Sequence, residues 1–161
     1  MIVIISPYSQ KMPVEQAKGN KINPKNYPYW ERFIELLKKE VPTVNIIQIG
    51  VAGEPTLKGV DTVMHNLGPE QLLKLTRTCN AWLSVDNFFQ HFCSYYKIPN
   101  GFVIFGQSDP KIFGHSFNTN ILKNPKYLRP RQFQFWWQTE YKEEVFVKAE
   151  ELLKIVLPTL K

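Results

Sequence analysis

Four short apolar runs decide what this chain can fold into. They are Ile2-Val3-Ile4-Ile5, the stretch from Val44 to Ile49, Ala81-Trp82-Leu83, and Phe102-Val103-Ile104-Phe105. Apolar runs of this kind belong to strands covered on both faces, as in a parallel sheet. Between the runs the apolar residues recur at helical spacing. Trp30, Phe33, Ile34, Leu37 and Val41 predict a helix over Tyr29 to Glu40, stopped by Pro42. Gly68-Pro69-Glu70 opens a second helix through Leu72, Leu73, Leu75 and Thr76, with Pro69 suited to the first helical position. Phe88, Phe89, Phe92, Tyr95 and Tyr96 mark a third, and Val145, Phe146, Ala149, Leu152, Leu153 and Val156 a last one. Strands alternating with helices predict an α/β fold: a single Rossmann-like domain over residues 1–161, its parallel sheet flanked by helices and joined by right-handed crossovers. Val60 to Met64 is a further strand candidate with less pattern behind it. Gly106 to about Tyr141 reads as a long exit loop rich in Asn, Pro and aromatics, with Trp136-Trp137 packing that tail against the sheet.

Composition narrows the classes. A chain of 161 residues with 43% hydrophobic content fits one domain with a sizeable core. No apolar run approaches a transmembrane span. Met1 to Ile5 is too short for a signal-peptide core and has no basic leader. Cys79 and Cys93 give neither a disulfide framework nor metal spacing, and read as reduced thiols of a cytoplasmic protein. Nothing in the sequence points to a cofactor or a metal. The net charge of +6 favours anionic partners: nucleotides, nucleic acid or acidic surfaces. The 14 acidic residues are interspersed, so the bias to nucleic acid is slight. The basic residues gather in two places, Lys11, Lys18, Lys21 and Lys25, then Lys123, Lys126, Arg129 and Arg131, each equally readable as a solvated loop. No glycine-rich dinucleotide fingerprint and no Gly-Lys-Ser/Thr phosphate loop follows the first strand.

The polar residues worth attention stand at the predicted strand ends, where open α/β sheets bind ligands. Ser84-Val85-Asp86-Asn87-Phe88-Phe89-Gln90-His91 runs from the third apolar run into a helix, whose start is a ready anion site. Asp86 has two readings: a ligand-facing carboxylate, or an N-cap bonded to the amide of Phe88 or Phe89. His91, in the second turn, either faces the same mouth or is packed in the core. After the next run come Phe105-Gly106-Gln107-Ser108-Asp109-Pro110 and Phe113-Gly114-His115, where Ser108-Asp109-Pro110 also reads as a plain turn. Glu54 follows the second strand and has a solvated turn carboxylate as its alternative. The stretch from Ser6 to Tyr29, broken by Pro13, Gly19, Pro24 and Pro28, is long enough for a ligand loop.

These residues carry a resemblance. Val44 to Gly114 resembles the second, nucleotide-sugar-binding half of glycosyltransferase family 9, the ADP-heptose:lipopolysaccharide heptosyltransferases of the GT-B fold. The family pattern is a strand, Asp-Ser/Thr-Gly-x-x-His, a helix, a Pro-initiated strand and Phe-Gly-x-Thr-x-Pro. Here it reads Asp86-Asn87-Phe88-Phe89-Gln90-His91, Pro99, and Phe105-Gly106-Gln107-Ser108-Asp109-Pro110, with Phe88 at the family's glycine. The family's Lys-x-Trp-Pro resembles Lys25-Asn26-Tyr27-Pro28. The resemblance implies half of a GT-B fold that binds a nucleotide-diphosphate sugar for glycosyl transfer. His91 and Asp86 would be the catalytic residues, Asp86 bordering the diphosphate and His91 the sugar end. Lys25 would pair with the diphosphate, Glu54 would accept from the ribose hydroxyls, and Asn87, Phe88, Ser108 and Asp109 would complete the substrate site. The first GT-B half, source of the acceptor site and the catalytic base, is expected from a partner chain or a second copy in a homodimer. The competing expectations are a non-catalytic nucleotide- or nucleic-acid-binding module and an interaction protein retaining only the fold.

Overall fold

The computed structural model describes residues 1–10 and 22–161. Lys11, Lys18 and Lys21, with Pro13 and Gly19, lie outside the described residues. The four apolar runs form strands β1 (Ile2–Ser6), β2 (Asn45–Gly50), β4 (Ala81–Val85) and β5 (Gly101–Phe105). Two more complete the sheet: β3 (Thr62–His65), at the weaker candidate, and β6 (Thr119–Leu122), inside the segment read as one long loop. The order is β3-β2-β1-β4-β5-β6, with every pairing parallel. This is the doubly wound order of dinucleotide-binding folds, and it reverses direction between β1 and β4.

The side-chain period of two sorts each strand between the two faces. Val3, Ile5, Leu83, Val85, Phe102 and Ile104 point to one face, covered by α1 (Trp30–Glu40) and a C-terminal helix, Ala149–Val156. Ile4, Trp82, Val103 and Phe105 point to the other, covered by α2 (Pro69–Thr76) and α3 (Phe88–Tyr95). The C-terminal helix begins four residues later than its apolar spacing predicts, because Glu143–Val145 forms a separate 3-10 turn. Trp82 has no exposed surface, meets Phe89 edge-on at 5.5 Å, and donates its indole N–H to the Ile98 carbonyl at 3.2 Å. Gly101 on β5 makes room for it: a Cβ there would stand 2.0 Å from the indole. Deleting such a buried aromatic costs about 3–5 kcal/mol. No helix among the described residues is long and apolar enough to cross a membrane.

Candidate functional site

The crevice at the switch between β1 and β4 opens into a cleft of about 800 Å³. The end of β1 and the chain after it supply Ser6, Tyr8 and Ser9, the end of β2 and its exit turn supply Gly50, Val51 and Glu54, and the start of α3 supplies Asp86, Asn87, Phe88 and His91. Lys25 and Trp136 reach it from distant loops. Ile49, Met64, Leu67 and Leu72 form an apolar wall.

Two adjacent residues share the work at the start of α3. Asn87, not Asp86, is the N-cap: its Oδ1 accepts from the Phe89 amide at 2.9 Å. Its Nδ2 donates to Ser6 Oγ and to the Tyr8 carbonyl, both at 2.9 Å, so one side chain ties the helix to the end of β1. That leaves the Asp86 carboxylate for other partners. Its Oδ1 accepts from Gln90 Nε2 at 2.7 Å, and its Oδ2 lies 2.7 Å from the Lys25 ammonium. The Lys25 contact is held by charge, since it lacks hydrogen-bond alignment at Oδ2. Asp86 is 5% exposed, so this is a nearly buried ion pair at the floor of the cleft.

The turn bearing Lys25 is itself fixed. Asn23 Oδ1 accepts from the Lys25 amide at 2.9 Å, Asn23 Nδ2 donates to the Gln10 carbonyl at 2.8 Å, and Asn26 Oδ1 accepts from the Ser9 amide at 2.9 Å. Lys25 is thus positioned by the loop that leaves β1. At the β2 end, Glu54 folds back over Gly50, where a Cβ would lie 1.9 Å from Oε2, and that oxygen accepts from the Val51 amide at 3.0 Å. Burial first, then the negative charges of Glu54 and Glu31, push the Tyr8 phenol above its ordinary range.

His91 is not a core histidine. It is exposed at the cleft mouth, with Nδ1 2.7 Å from His115 Nε2. Partial desolvation, then His115, lower its pKa.

Ser108 and Asp109 stand elsewhere than the shared cleft that their motif position predicts. Ser108 lines a small pocket of about 10 Å³, room for about one water, which shares Lys25, Asp86 and Trp136 with the main cleft. Asp109 lines neither space; it caps the one-turn helix Pro110–Phe113, accepting from the Lys111 amide at 2.9 Å. The reason is geometric: β5 lies one strand further out, beyond β4, so its exit loop opens beside the crevice and not into it.

Three residues at the site escape the sequence. Arg129 borders the small pocket, and its Nε has no partner among the described residues. Its other nitrogens hold Thr139 Oγ1 at 3.3 Å and the Gln132 carbonyl at 2.7 Å. Trp136 belongs to neither core cluster and walls the cleft, against its reading as packing for the tail. Tyr8 follows β1 directly, and that position is the signal that could have found it. No cluster of three or more metal-ligating side chains occurs among the described residues.

No family model matches the sequence, and a search of curated proteins finds no match. Two solved structures share the fold. E. coli ADP-heptose LPS heptosyltransferase II superposes with a TM-score of 0.66 at 13% identity, over 99% of this chain and 46% of its own. E. coli heptosyltransferase WaaC with ADP superposes with a TM-score of 0.64 at 13% identity, over 98% of this chain and 44% of its own. The chain therefore spans less than half the length of either structure. Its six parallel strands and flanking helices form a Rossmann-like α/β domain matching one half of a GT-B fold.

Proposed function

We propose that residues 1–161 form the nucleotide-sugar-binding, C-terminal-type half of a family 9 glycosyltransferase, acting in glycosyl transfer with a second chain or a second copy that supplies the acceptor half. The observation that carries this reading is the convergence of Lys25, Asp86, Glu54, His91 and the start of α3 on one cleft at the switch point. Negative charge develops on the diphosphate as the sugar leaves. The Lys25 ammonium and the α3 amides stabilise it there, and being prepositioned they need no reorganisation. Asp86 holds Lys25 in place. Glu54 accepts from ribose hydroxyls, and the apolar wall of Ile49, Met64 and Leu72 takes the base. His91 faces the transferred sugar. Two free thiols fit a cytoplasmic setting; burial pushes Cys79 up to about 11 and Cys93 higher still.

A thermal-shift panel of nucleoside diphosphates and their sugars tests this. A specific ligand at a hundred times its Kd adds about 2.7 kcal/mol of stability. No shift with any nucleotide at millimolar concentration would sink the reading.

A second reading has its own observation. Phe133 is 84% exposed, Phe135 is 61% exposed and stacks on Trp137 at 4.5 Å, and Arg129, Arg131 and Lys126 lie in the same segment. Aromatics interleaved with cations suit single-stranded nucleic acid. Binding that weakens steeply with salt and is lost in Phe135→Ala would favour it.

A further inference from the structure

The contact between His91 and His115 lies outside the motif that singled out His91. The two rings stand nearly perpendicular, at 78° with centroids 5.0 Å apart, and two ring nitrogens meet at 2.7 Å. Two bare nitrogens at that distance would set lone pair against lone pair, and two protonated ones would repel. One hydrogen must lie between them. The segment carrying His115 is built to hold it there. The His115 carbonyl accepts from the Asn118 amide at 3.1 Å and from Asn120 Nδ2 at 3.0 Å. Asn118, buried, accepts from Ser94 Oγ on α3 at 3.1 Å. Gly114 permits the approach: a Cβ there would stand 2.6 Å from the Pro110 carbonyl and 2.8 Å from Asn120 Oδ1.

We infer that His115 is a positioning residue for His91: the two imidazoles share one hydrogen bond, titrate as a unit, and take one proton from solvent when a diphosphate enters the cleft. The last clause rests on the nucleotide reading above. A donor at the ligand side requires His115 Nε2–H to bond to His91 Nδ1, which fixes His91 as the Nε2–H tautomer. Among the described residues, the charged groups acting on His91 besides His115 are Asp86 and Lys25. Those two are paired with each other at 2.7 Å and act on His91 with opposite sign. A bound diphosphate adds negative charge to this balance. A dianionic diphosphate favours one imidazolium, with its proton shared along the hydrogen bond, and the pair becomes a positive charge present only when the site is filled. A second proton would bring two positive rings into contact.

Nitrogen NMR of the two imidazoles in the full chain tests this, free and with ADP-glucose or UDP-glucose, whose diphosphates carry no group titrating near neutrality. The free parent should show coupled titration, the second proton entering about one pH unit or more below the first, and a single Nε2–H tautomer for His91. His115→Gln, which still donates through its amide, should keep that tautomer and lose the coupling. His115→Phe should lose both. Bound nucleotide sugar should move the ring signals of the parent toward imidazolium. Independent titration, mixed His91 tautomers in the parent, or bound ligand that leaves both rings neutral overturns the inference. Coupled titration and a fixed tautomer, with neither sugar nor any nucleoside diphosphate of the panel bound, would support the pairing and instead overturn the nucleotide reading.

Discussion

Removing Lys25 should destabilise the protein more than removing the charge of its partner. In Lys25→Met the Asp86 carboxylate, whose side chain is 6% exposed, keeps among the described residues its bond from Gln90 and the more distant Arg129 charge. Stranding one member of a fully buried pair costs about 3–5 kcal/mol. The Lys25 side chain is 19% exposed and borders the open cleft, which lowers the expected cost to about 2–3 kcal/mol. In a domain of this size that lowers Tm by about 5–10 °C. Asp86→Asn keeps an acceptor for Gln90, and the freed lysine extends into the cleft on its flexible stem, so it should cost about 1 kcal/mol. The double variant leaves no unpaired charge, and the cycle should close with about 1–2 kcal/mol of coupling. Urea unfolding at constant slope reads all four proteins. Lys25→Met within about 0.5 kcal/mol of the parent, or coupling below that value, would refute the buried pair. Binding reads the same pair differently. Asp86→Asn should tighten nucleoside-diphosphate affinity, since it removes a negative charge and releases the ammonium, whereas Lys25→Met should abolish it.

Asn87→Ala removes the α3 cap and the ties to Ser6 and Tyr8, and calorimetry should find a loss of about 2–3 kcal/mol. Gly50→Ala should displace the Glu54 carboxylate at little cost in stability, because the atom in the way ends a flexible side chain; nucleotide affinity should fall while Tm holds. The lowered pKa of His91 means that the unfolded chain takes up this proton first as pH falls. The stability contribution is thus intact above the ordinary histidine value and declines as pH drops through the lowered folded value. His91→Phe should flatten that slope in unfolding curves recorded across the window.

The sheet was legible where strands are buried on both sides. Val3, Ile4 and Ile5 have no exposed surface, and selection for two apolar faces leaves a continuous run. β6 was not legible, because an edge strand of four residues contributes only Ile121 to the core and its pattern dissolves into polar neighbours. β3, the opposite edge, has Thr62 exposed and its other residues half-buried, and gave the same faint signal. At the site, Asp86 and Asn87 are both competent caps, and local chemistry does not rank them. The arrival of Lys25 from a segment 61 positions away, counted from 86 − 25, decides between them. Arg129 and Trp136 were visible as residue types within a basic, aromatic loop, but their direction depends on how that loop folds back over the ends of β1 and β4.

Amide chemical-shift mapping with ADP-glucose and UDP-glucose addresses the central claim most directly. The account predicts that one of them saturates and shifts the amides of residues 86–91 at the start of α3 and of Gly50 to Glu54 after β2, with the Lys25 turn following. Shifts confined to residues 130–138, or no shifts at millimolar ligand, would contradict it.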